Sequence, residues 1–111
     1  MAYGKLASAV LAAATPNTVY TVGANCLYAE VNINIVNSAG SDSALSIALT
    51  SAATPAAGDY IENGVVVPAN GGTMENTGLI LSPGEKIVVQ SNISGPVVRI
   101  SGKEVVAVRN T

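Results

Sequence analysis

The strictest hydrophobic pattern in the chain lies at 28–37. Ala29, Val31, Ile33 and Ile35 alternate there with Glu30, Asn32, Asn34 and Val36. A period of two marks a strand with one buried and one wet face, because successive side chains of extended backbone point to opposite sides. The same period returns at Ser43–Thr50, with Leu45, Ile47 and Leu49 expected inward and Ala44, Ser46 and Ala48 outward. The turn cluster Ser38-Ala39-Gly40-Ser41-Asp42 separates the two runs and leaves them close enough to pair as a hairpin.

Shorter runs of the same kind fill the rest of the chain. Thr18–Val22 is β-branched and is bounded by Pro16-Asn17 and Gly23-Ala24-Asn25. Pro55 and Gly58 keep the connection from Ser51 to Gly58 irregular. Asp59–Glu62 and Val65–Val67 flank Asn63-Gly64, a strong hairpin signal, but each arm is only three or four residues long. One strand with a bulge at Gly64 is the better reading. Pro68 to Gly72 turns the chain, and Thr73–Leu81, Lys86–Ser91 and Val97–Val108 follow as strands, the last with a break expected at Gly102. Ser82-Pro83-Gly84-Glu85 carries Pro and Gly in the two central places of a type II turn.

Residues 1–14 fit two descriptions. Their alanines favour helix, and Leu6, Val10 and Leu11 make a partial helical stripe. The same segment also alternates as a strand. We favour strand, since everything downstream reads β and an isolated Ala-rich helix of this length is marginal. The segment also mimics a weak signal peptide, an interpretation set aside because Lys5 is its only basic residue and Ser8 interrupts its apolar middle. The chain is thus expected to hold an N-terminal arm or first strand, 1–14, and a β-sandwich domain, 15–111. Strands start near residues 3, 18, 28, 43, 59, 73, 86 and 97. That spacing predicts an all-β fold: an antiparallel β-sandwich of about eight strands, jelly-roll or Greek-key-like.

Composition narrows the function. The chain has 111 residues, which suits one domain. Hydrophobic residues make up 49%, and the 4% that are aromatic are all Tyr. With no His and one Cys, Cys26, the chain can form neither a His/Cys zinc site, nor a Ser-His-Asp or Cys-His nucleophile pair, nor an internal disulfide. A net charge of -2 with five scattered basic residues argues against a nucleic-acid surface. No apolar run approaches the ~20 residues of a membrane helix. Only 11% of residues are charged, where soluble proteins average roughly 25%. Either the surface carries a neutral coat of Asn, Ser and Thr, or partners cover part of it; we favour the second.

No catalytic constellation stands out. Asp59 and Glu62, three apart, would face opposite sides of a strand, unlike a glycosidase pair. Asp42 among serines could contribute to a calcium site, but one carboxylate in a Ser/Gly turn is ordinarily turn chemistry. No phosphate-loop motif occurs, and no cofactor is expected. Tyr3, Tyr20, Tyr28 and Tyr60 sit near strand ends, where they suit rim packing better than stacking on sugar.

Several stretches together carry a likeness: AYGKLAS from Ala2, VYTV from Val19, VNINIVN from Val31, DYIE from Asp59, PANG from Pro68 and TGLILSPGEK from Thr77. In these the chain resembles small virion structural proteins of tailed phages, notably phages of cyanobacteria. Cys26 and the Gly23-Ala24-Asn25 turn depart from that pattern. The resemblance implies a non-enzymatic, self-assembling sandwich on the capsid exterior. It would be a head decoration (cement) protein, most often a homotrimer, bound to the major capsid protein. The alternative it implies is a tail-fibre or baseplate module that could bind carbohydrate. No family site residues transfer. The arm from Met1 to Leu11 could add a strand to a neighbour's open edge, which makes Tyr3, Lys5, Leu6, Val10 and Leu11 the candidate interface residues.

Overall fold

The structure is a computed structural model and describes residues 3–52 and 54–106. Eight strands follow one another: β1 Tyr3–Val10, β2 Asn17–Thr21, β3 Cys26–Asn37, β4 Ser43–Thr50, β5 Tyr60–Val67, β6 Gly72–Leu81, β7 Lys86–Ser91 and β8 Val97–Val106. A 3-10 turn, Ala57–Asp59, precedes β5. One antiparallel sheet has the order β1-β8-β3-β6 and the other β2-β7-β4-β5. The chain is all-β, and Tyr3–Val10 of the first segment form a strand; residues 1 and 2 of the expected arm and 107 and 108 of the expected last strand lie outside the described residues.

The pairing follows one rule. β1 pairs with β8, β2 with β7, β3 with β6 and β4 with β5. The polypeptide is therefore one long hairpin folded back at the β4–β5 connection, with successive rungs falling alternately in the two sheets. β3–β8 and β4–β7 pairings close each sheet. This is the jelly-roll arrangement of a double-sheet sandwich. Only β4 and β5 are neighbours both in sequence and in a sheet.

The hairpin expected between β3 and β4 is therefore not formed; the two strands lie in opposite sheets. Side-chain chemistry explains the crossing. Asn37, fully buried at the end of β3, accepts from the Ala39 N–H through Oδ1. Its Nδ2 donates to Ser41 O and, across the sandwich, to Val67 O. These bonds bend the Ser38–Asp42 segment around the rim instead of back alongside β3.

The core lies between the inner faces. Val31, Ile33 and Ile35 meet Leu45, Ile47, Ile87 and Val89 there, with Leu81, Val98 and Ile100 equally buried. Leu49 and Leu79 are half-buried and pack against this cluster. Ala48, expected outward, is nevertheless buried in the row Tyr60–Ala48–Val88.

Glycines set the strand register. Leu45 and Ile47 of β4 face Val65 and Glu62 of β5, so three steps oppose two. Gly64, at φ 68, supplies the left-handed residue of that bulge, as expected from the sequence. A second bulge at Gly78, φ 69, reverses the parity of β6 and points both Met74 and Leu79 toward the core. Gly84, φ 81, completes the type II turn, whose Glu85 N–H donates to Ser82 O at 3.1 Å. The break expected at Gly102 does not occur. β8 runs through it, and a Cβ there would lie 2.0 Å from Glu30 O, so glycine permits the close approach of β8 to β3.

Candidate interaction surfaces

The carboxylates of this chain mostly serve local structure. Asp42 Oδ1 accepts from the Ala69 N–H, Asp59 Oδ2 from Ala56 and Glu85 Oε1 from Ser82. Glu62 accepts from Asn76 Nδ2 across the β5–β6 edge. Glu104 points inward from β8 and accepts from the Tyr20 hydroxyl of the opposite sheet. Burial raises the Tyr20 phenol above its ordinary range, and the Glu104 hydrogen bond and charge push it further. Cys26 is buried. Among the described residues no three His, Cys, Asp or Glu side chains cluster as metal ligands.

The residues proposed from the sequence as an interface are not one patch. Tyr3 opens β1, opposite Lys103. Lys5 is exposed opposite Ser101, and Val10, at 67% exposure, is opposite Val97. Leu6 falls in the β1 bulge and is half-buried against the core. Leu11 is fully buried in the chain's own core; its N–H donates to Pro96 O and its carbonyl accepts from Gly95. Tyr3–Val10 fills the edge of its own sheet against β8, where a strand of the same chain is always at hand.

Two broad outer faces remain, and they differ in chemistry. On the β2-β7-β4-β5 sheet the cross-strand rows are Ala44–Val66, Ser46–Gln90 and Tyr60–Ala48–Val88–Thr18, the last with Ala48 and Val88 buried within the chain itself. Only Lys86, in the end row with Thr50 and Thr21, carries charge among these rows, and its Nζ donates to Ser51 O. At the edge of this sheet β5 exposes Ile61, Val65 and Val66.

The β1-β8-β3-β6 sheet presents charge in its middle and apolar residues toward its ends. Its rows are Val10–Val97–Val36–Thr73, Ser8–Arg99–Asn34–Glu75, Lys5–Ser101–Asn32 and Lys103–Glu30–Ile80. A hollow of about 320 Å³ opens on this sheet between Gly4, Glu30, Asn32, Gly102 and Lys103. Asn32 Oδ1 is occupied by the Gly78 N–H, which leaves the amide's own donors free.

This second face is not legible in the sequence. Lys5, Arg99 and Lys103 lie near opposite ends of the chain and converge only because β1 pairs with β8. The one local signal was the alternation of Arg99, Ser101 and Lys103 with Val98 and Ile100. Comparison with family models, curated proteins and solved structures yields no match to this chain.

Proposed function

We propose that this protein is a non-enzymatic structural component of a tailed-phage virion, a head decoration protein that self-associates and binds the outside of the capsid. The observation that carries the reading is the nearly uncharged outer face of the β2-β7-β4-β5 sheet. Docking a face without charges avoids the desolvation cost that buried ions impose. A rigid jelly roll holds the exposed parts of that face, Thr18, Thr21 and Val66 among them, in fixed positions, so the contact area needs little ordering on binding. Many copies on a repeating shell, linked to one another, would convert weak single contacts into a firm coat. The resemblance in the strand and turn segments supplies the virion context.

A second reading, a tail-fibre or baseplate module that binds carbohydrate, is favoured by the hollow beside Gly4 and Gly102. Glu30 can accept from sugar hydroxyls there, while Asn32 and Lys103 can donate.

Quantitative mass spectrometry of purified virions separates the two. A decoration protein is present in numbers comparable to the capsid subunit, and a fibre or baseplate part in far fewer. Absence from virions overturns both.

A further inference from the structure

The outer face of the β1-β8-β3-β6 sheet is divided by charge along its length. Lys5, Arg99 and Lys103 stand on β1 and β8, whereas Glu30 and Glu75 stand on β3 and β6. We propose that this face docks on the same face of a second copy of the chain, about a twofold axis that lies in the interface and runs parallel to the strands.

The strand register dictates what such an axis brings together. Rotation about it keeps each cross-strand row level and reverses the strand order, so β8 lies over β3 of the second copy and β1 over β6. Lys103 then faces Glu30 of the second copy, and symmetry repeats the pair. Val97 faces Val36 in the same way, and the Ser8 hydroxyl faces Glu75. Turning the partner about an in-plane axis across the strands would lay the basic half on the basic half, and like charges in contact oppose that arrangement. Charge therefore selects one of the two face-to-face geometries.

The area suits a reversible dimer. Strands about 4.8 Å apart, each residue rising about 3.4 Å, give a four-stranded, eight-residue face of about 500 Å². Two such faces bury about 1,000 Å², the lower end for a specific interface. Val10, Val36, Val97 and Ile80 supply apolar contact, being 67%, 38%, 37% and 59% exposed in the single chain. The proposal does not depend on binding to a capsid, which uses the other sheet. It gives a dimer, whereas the trimer implied by the resemblance needs two different patches in contact.

Sedimentation equilibrium of the purified chain tests it with a charge swap divided between chains. K103E alone and E30K alone each set like charges against each other twice across the axis, and each should weaken dimerisation at least tenfold. An equimolar mixture of the two restores both opposite-charge pairs, and should recover affinity to near the wild-type value. Thermal melts check that each variant is folded. V36K, which leaves residues 30 and 103 untouched, should also abolish the dimer and stands in if a charge variant does not fold. A wild-type chain that remains monomeric at millimolar concentration overturns the proposal. So does a trimer, or a mixture that associates no better than its components.

Discussion

Asn37 Nδ2, at the end of β3 in one sheet, donates to Val67 O, at the end of β5 in the other, at 3.1 Å. The same amide holds Ser41 O and the Ala39 N–H, and the side chain is fully buried. One residue thus joins the two layers and shapes the crossing between β3 and β4. Asn37→Ala strands two carbonyls and an N–H, and should lower the unfolding free energy by about 3 kcal/mol in urea titrations. Asn37→Asp should be worse near neutral pH, because a carboxylate would then face two carbonyl oxygens. Its deficit should shrink in acid as that group becomes a donor. Equal stability of Asn37→Asp and wild type would remove the linking role.

Ser43 and Ser91 form a second buried link, with their hydroxyl oxygens 2.6 Å apart. Ser91 Oγ also accepts from the Ile93 N–H. Ser91→Ala should therefore cost more than Ser43→Ala, by about 1 kcal/mol. The double variant should lose less than the sum of the singles, because neither hydroxyl is left alone. Additive losses in a double-mutant cycle would show that the hydroxyls do not interact.

Two glycines separate strain from collision. Gly4 and Gly102 are cross-strand partners with φ of 106° and 147°. A Cβ on Gly4 meets nothing within 4 Å, while one on Gly102 meets Glu30 O at 2.0 Å. Gly4→Ala should cost about 1–3 kcal/mol of backbone strain alone. Gly102→Ala adds displacement of β3 and should be clearly more destabilising. Thermal melting of the two variants checks the order; equal losses would mean that β8 does not need to approach β3 so closely.

Tyr20 gives the fold an alkaline limit. Its phenol titrates above the ordinary value of 10.0 because the site is buried and the Glu104 carboxylate accepts a hydrogen bond from its hydroxyl. The unfolded chain therefore releases this proton at lower pH than the folded one. The stabilisation is complete below pH 10 and is lost as pH rises from there toward the folded value. Wild type should lose stability above about pH 10 faster than Tyr20→Phe, which has no proton to release. Melting curves of the two that stay parallel through this range would refute the linkage.

The individual strands could be read directly from the sequence, because the period-two pattern at 28–37 and 43–50 and the turn residues at Asn70-Gly71 and Pro83-Gly84 are local signals. Their order was not so accessible. Which sheet β4 joins depends on the buried bonds of Asn37, and nothing in the spacing of β3 and β4 reports those. Gly78 was hidden for a similar reason: one inserted residue changes the parity of β6, and a short window cannot locate it. Leu11 shares its apolar character with Val10, yet one is in the core and the other on the surface, a distinction set by the contact of Leu11 with the Gly95–Pro96 turn. The charged face required the pairing of the chain's first strand with its last.

For the proposed decoration role, binding of the purified chain to bare phage heads is the most direct test of the uncharged face. Saturable binding of many copies per head is expected, abolished by Thr18→Lys with Gln90→Lys, which place charge on that face without touching the core. Heads that leave wild type unbound, or that bind the doubly substituted chain equally well, would contradict it.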